Sequence, residues 1–91
     1  MAHLEVNVVA ADRAVWSGSA KLVSAPAADG EIGILAGHTP ILSALKAGNI
    51  RITTTAGKKV EVAITGGFLS VDHDAVTLVV DAAEMLDGAN A

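Results

Sequence analysis

Apolar and polar residues alternate one by one through several short stretches of this chain. Leu4, Val6 and Val8 alternate with Glu5 and Asn7, Ile50 and Ile52 with Arg51 and Thr53, and Val60, Val62 and Ile64 with Glu61 and Thr65. Val76, Leu78 and Val80 continue the pattern around Thr77 and Val79. A period of two puts every second side chain on the same face of an extended strand, so each stretch reads as a half-buried β-strand. Turn signals separate the stretches at Ser17-Gly18, Asp29-Gly30, Gly48-Asn49, Ala56-Gly57, Gly66-Gly67 and Asp72-His73-Asp74. Their spacing is that of a sandwich or barrel. A single sheet would leave a face of valine and isoleucine uncovered, and the pattern therefore predicts an all-β fold of two sheets packed about 10 Å apart.

Two hairpins are expected, 50–55 with 58–65 and 60–65 with 68–71, each closed by a glycine-containing turn. Residues 82–85 either extend the strand 76–80 or begin a helix, and extension fits the pattern better. Local rules also allow a short helix after Thr39, with Pro40 at its first position, Gly48 past its end, and Ile41, Leu42 and Leu45 on one face. Residues 1–86 form one domain on this reading, and 87–91 form a short flexible tail.

With 91 residues the chain has room for one domain, whose stability would be about 5 to 14 kcal/mol. Hydrophobic residues make up 52% of it, yet charges interrupt every run before the roughly 18 needed to cross a bilayer. The opening MAHLEVNVV lacks the basic and apolar regions of a secretory signal, which predicts an interior location. The absence of cysteine excludes disulfides and thiolate metal cages. A net charge of −4, with Lys58 and Lys59 as the only adjacent basic pair, argues against nucleic acid as a partner. Trp16 and Phe68 are the only aromatics, too few for a base-stacking surface.

Chemistry-bearing motifs are equally sparse. His3, His38 and His73 lie far apart, without the spacing that sets two ligands on one face, so neither a metal nor another cofactor is expected. Gly30-Glu31-Ile32-Gly33 is followed by Ile34-Leu35, whereas a phosphate-binding loop needs a lysine and a hydroxyl residue there. The serines form no nucleophile elbow. The reading that remains is a tight turn at Asp29-Gly30 that exposes Glu31 at its tip and sends Ile32 and Ile34 inward. Gly66-Gly67 marks a left-handed turn or a close backbone approach, with Phe68 in the core. His38 is a loop histidine bonded to backbone or a polar interface contact, and His73 is a solvated turn residue.

Three blocks together carry a family resemblance: LEVNVVAADRAVWSG, GEIGILAGHTPILSALKAGNIRI and ITGGFLSVDHDAVTLVVDAAE. Over nearly its whole length the chain resembles the N-terminal domain of the epsilon subunit of bacterial F-type ATP synthase, the counterpart of the mitochondrial delta subunit. One departure is local: the family's Pro-Gly-His loop reads Ala36-Gly37-His38, which removes a φ constraint. The resemblance implies a ten-stranded β-sandwich of two five-stranded sheets, with a strand or irregular link at 41–45 in place of the helix. The C-terminal helical hairpin that commonly follows this domain is absent before Ala91.

What the resemblance implies for function is a non-catalytic subunit of the central stalk. It would dock the gamma subunit onto the c-ring, join the alpha/beta hexamer through the assembled complex, and couple ion-driven rotation to ATP synthesis. Asp29, Gly30 and Glu31 match the contact with the c-ring, and His38, Thr39 and Leu42 match the side turned toward gamma. The domain would lie on the cytoplasmic face of the bacterial cell membrane, peripheral and not inserted. The alternative is a free-standing β-sandwich protein-binding module, which would have no need of the combined motif set.

Overall fold

The computed structural model describes residues 3–87, and they are all strand, turn or loop. Seven strands form in chain order: β1 (Leu4–Ala10), β2 (Arg13–Ala27), β3 (Gly30–Leu35), β4 (Ile41–Thr54), β5 (Lys59–Asp72), β6 (Ala75–Val80) and β7 (Ala83–Asp87). They make one sheet in the order β1-β6-β5-β4-β2-β3, with β7 on β5. A further β1–β2 pairing closes β1, β6, β5, β4 and β2 into a ring of five strands. The pair β1–β6 is parallel, from Glu5 opposite Ala75 to Ala10 opposite Val80, and the other pairs, the closing β1–β2 pair included, are antiparallel.

Two of the three long strands, β2 and β5, change partners along their length, while β4 keeps β2 and β5 as its neighbours. The first half of β2 pairs with β1 and the second half with β3 and β4. The stretch of β5 from Glu61 to Ile64 pairs with β7, and that from Gly67 to Asp72 pairs with β6. All three long strands switch which alternate residues face inward. In β4 the buried positions run through Leu45 and then through Ile50 and Ile52; in β5 they run through Val60, Val62 and Ile64 and then through Leu69 and Val71. In β2 the switch falls between Ala20 and Val23. A period-two pattern can change phase only where the strand bends or twists away from one neighbour toward another. These switches are the corners of the fold.

Glycine makes one of those corners possible. Gly67 has φ 153, and a Cβ built on it would stand 2.1 Å from the carbonyl oxygen of Val79 and 2.7 Å from the Cα of Val80. The backbones of β5 and β6 approach so closely there that no side chain fits between them.

The structure corrects several expectations. The described residues are all-β as expected, but their hydrogen-bonded strands number seven, not ten, and form a five-strand ring with two further strands where two five-stranded sheets were expected. The hairpin of 50–55 with 58–65 forms through the turn at 55–58, where the Gly57 N–H donates to the Thr54 carbonyl at 2.9 Å. No hairpin joins 60–65 to 68–71, because β5 runs unbroken through Gly66-Gly67. Ser17-Gly18 and Gly48-Asn49 likewise lie inside β2 and β4, not in turns. β4 begins at Ile41, so the helix after Thr39 does not form; the ladder from Ile41 opposite Val71 outcompetes a marginal helix. Residues 83–87 do not extend β6: the chain bends at Asp81-Ala82 and β7 returns to pair with β5. Asp87 belongs to that strand, and the rest of the expected tail, 88–91, lies outside the described residues.

The core is wholly apolar. Leu4, Val8, Val23, Ile34, Ile50, Val62, Leu69, Val76 and Leu78 are completely buried, and among the described residues no polar or charged side chain is. Trp16 lies half-buried against this cluster and over Gly18, where a Cβ would stand 2.9 Å from its indole ring.

Candidate docking surfaces

Since every polar side chain of the described residues reaches the surface, any chemistry must be surface chemistry. No three histidine, aspartate or glutamate side chains among them could share a metal ion. Two surface regions carry the residues singled out by sequence.

The first is the β2–β3 hairpin. Ala28 and Asp29 form its turn, and Gly30 opens β3 with φ 131. Glu31 is therefore not the tip of the turn but the second residue of a strand, directly opposite Pro26. Strand alternation sends its side chain outward, while Ile34 is buried and Ile32 half-buried as expected. The Glu31 carboxylate lies 3.6 Å from Arg51 Nη1, and Ser24 Oγ donates to it at 3.5 Å. On the far side of Arg51, Nε is 3.7 Å from the Glu61 carboxylate, which also accepts from Asn49 Nδ2 at 2.8 Å. A polar row thus crosses β3, β2, β4 and β5, with one guanidinium between two carboxylates. More than half of the Glu31 and Arg51 side chains remain exposed, so their pairing stabilises the fold by at most about 1 kcal/mol.

The second region lies beyond the other end of β3. Residues 36–40 make the β3–β4 loop, in which the His38 N–H donates to the Leu35 carbonyl at 3.1 Å. The His38 ring Nδ1 donates to the Thr39 carbonyl at 2.7 Å. Gly37 N–H donates to Asp74 Oδ1 at 2.7 Å, joining the loop to the β5–β6 turn. Thr39 is exposed, His38 half-buried, and Leu42, the second residue of β4, is 74% exposed.

Leu42 has apolar company that sequence reasoning missed. Phe68, expected in the core, is 57% exposed, and Val79 is 50% exposed. Ala44, Phe68 and Val79 stand opposite one another across β4, β5 and β6, and Val79 stands opposite Val9 of β1. Leu42, opposite Ser70, is the diagonal neighbour of Phe68 on the same face. An apolar row therefore crosses four strands on the outside of the ring. The signal was present in the sequence: Leu69 and Val71 keep strict alternation only if Phe68 and Ser70 point the other way.

Elsewhere the surface carries local stitching. Glu5 of β1 faces Ser19 of β2. Hydrogen bonds from His3 at 2.6 Å and from Ser19 Oγ at 3.0 Å hold its carboxyl below the usual carboxylate range.

The arrangement agrees with what the chain is similar to. The family model described as ATP synthase, Delta/Epsilon chain, beta-sandwich domain matches residues 3–86. The ATP synthase epsilon chain of Micrococcus luteus is 47% identical over 91 residues, covering 100% of both chains. That of Rhodococcus jostii is 46% identical over 88 residues, covering 96% of this chain and 72% of the relative. Among solved structures, a cryo-EM structure of Euglena gracilis mitochondrial ATP synthase (OSCP/F1/c-ring) contains a chain with TM-score 0.88 and 24% identity, over 96% of this chain and 57% of that one. The central stalk/c-ring structure of the Tetrahymena thermophila enzyme gives TM-score 0.74 at 18% identity, over 89% of this chain and 65% of that one. At those identities the likeness is one of fold. The sequence match over nearly the full length carries the assignment: the chain belongs to the delta/epsilon family of ATP synthase through its β-sandwich domain, a subunit of the complex other than the catalytic one.

Proposed function

We propose that the chain is the central-stalk element that docks the gamma subunit onto the c-ring and so couples ion-driven rotation to ATP synthesis. The observation that carries this reading is the pair of unlike surfaces on one hydrogen-bonded body. A charged corner around Glu31, on β3 paired to the ring strand β2, and an apolar row around Leu42 and Phe68 on the ring itself belong to one hydrogen-bonded sheet. From Glu31 to Leu35 the chain spans about 13 Å of strand, and the loop with His38 and Thr39 begins beyond it. A close-packed apolar core makes the body between the two surfaces stiff, which is what transmission of torque requires. In this reading the halves of β2, β4 and β5, counted separately, bring the seven strands to the ten of the two five-stranded sheets that the family resemblance implies.

In this reading Asp29, Gly30 and Glu31 meet the polar loops of the c-ring, and Glu31 faces a basic residue there. His38, Thr39 and Leu42 meet gamma, with apolar contact giving affinity and charge giving register. The domain reaches the alpha/beta hexamer through the assembled complex. It lies peripherally on the cytoplasmic face of the bacterial cell membrane.

Reconstitution with purified gamma and c-ring, with crosslinkers at positions 31 and 38, tests the assignment. Crosslinks from 31 to the ring and from 38 to gamma are expected; the reverse pattern would overturn it. A charge reversal gives a second test. Glu31→Lys sets a cation beside Arg51, yet both groups are well exposed, so the melting temperature should fall by less than about 8 °C. Ring affinity should fall at least about tenfold. Equal losses in free energy of folding and of ring binding would sink the assignment of Glu31 to docking.

A further inference from the structure

The loop that bears His38 and Thr39 is held from a distant part of the chain. Its hydrogen bonds from His38 N–H to Leu35 and from the His38 ring to Thr39 are local, and neither fixes it to another layer of the fold. The 2.7 Å bond from Gly37 N–H to Asp74 Oδ1 does, across 37 positions of sequence. A carboxylate acceptor makes such a bond short and strong relative to a neutral one. Ala36, just before Gly37, has none of the φ restriction that a proline there would impose.

Asp74 is well suited to act as a fixed post. It shares the two-residue β5–β6 turn with His73, and both have left-handed backbones, at φ 63 and φ 49. Its own carbonyl accepts the Glu5 N–H at 2.8 Å, which ties the turn to β1. A turn with two positive φ values favours glycine at its second position, so an aspartate there is disfavoured by backbone conformation alone. What it gains is the contact its carboxylate makes.

We propose that Asp74 is a positioning residue for the gamma-docking loop, its carboxylate clipping Gly37 so that His38 and Thr39 stand ready beside Leu42. The proposal rests on the docking reading above, and it adds a residue that lies outside the assigned contact set. Preorganising the loop removes an ordering cost that binding would otherwise carry.

The test uses the 91-residue chain and two variants. Asp74→Gly removes the acceptor while suiting the turn, so it should melt no lower than the parent. Its Gly37 amide should exchange with solvent about tenfold faster by NMR, the scale of one lost hydrogen bond. Calorimetry with purified gamma should show affinity reduced roughly threefold to tenfold. Asp74→Asn keeps an oxygen acceptor and tolerates the left-handed backbone, so both quantities should stay within about twofold of the parent. Unchanged Gly37 exchange in Asp74→Gly would overturn the clip, and faster exchange with parental gamma affinity would overturn its role in docking. Should the parent chain itself ignore gamma, the docking reading falls, and Gly37 exchange alone then decides whether Asp74 holds the loop.

Discussion

Gly67→Ala is expected to lose at least about 3 kcal/mol of folding stability, the largest effect of any single methyl group on this fold. The added Cβ would stand 2.1 Å from the Val79 carbonyl oxygen, 2.7 Å from the Val80 Cα and 3.0 Å from the Val79 carbonyl carbon. All three are backbone atoms of β6, so no rotamer change relieves the clash. The backbone at φ 153 adds strain of its own for any residue with a side chain. Relief requires β6 to move off β5, and β6 carries Val76, Leu78 and Val80 into the core and closes the ring through β1. Against a total of about 5 to 14 kcal/mol, that loss takes a large share of the stability. Gly33→Ala is the matched control, since its Cβ would meet nothing within 4 Å and its backbone is not left-handed. Urea unfolding of the two variants should separate their midpoints widely; a Gly67→Ala midpoint equal to that of Gly33→Ala would refute the close-approach account.

The same corner shows what could be read from sequence and what could not. The strands at 4–10 and 76–80 and the hairpin around Gly57 follow from alternation and turn chemistry because their partners or their turns are local. The function of Gly66-Gly67 was only half legible. Close backbone approach was anticipated, but the pair also read as a turn, since a strand that bends from one neighbour to another looks locally like two strands. Phe68 was lost for the same reason: its aromatic ring suggested the core, while the switch of inward phase beyond Gly67 turned it to solvent. β7 was misread as part of β6 because its partner, β5, is set by tertiary pairing that no window of a few residues contains. The proposed docking residues Glu31, His38, Thr39 and Leu42 come from family resemblance. Their physical surroundings, Arg51 beside Glu31 and Asp74 beneath Gly37, join segments 20 and 37 residues apart and are invisible to local rules.

Substituting the apolar row should separate folding from docking more sharply than any change at the charged corner. Leu42→Thr and Phe68→Thr place a strand-favouring residue at each position, and both parent side chains are more than half exposed. Each substitution should therefore change folding stability by no more than about 1 kcal/mol. On the proposed docking reading gamma binding responds differently, because truncating a large apolar anchor at the centre of an interface costs about 2 kcal/mol or more, close to thirtyfold in affinity. The two residues are diagonal neighbours on one face, so the double variant should lose less than the product of the single effects, yet still about a hundredfold. Leu22→Thr supplies the comparison: it is also an exposed leucine in a strand, but it lies opposite Leu35 and Thr53, away from this row. Calorimetric titration of gamma into each variant, beside a thermal melt, reads both quantities at once. Parental affinity in Phe68→Thr, or a loss in Leu22→Thr equal to that in Leu42→Thr, would show that gamma is held by some other surface and that the exposed row serves a different contact.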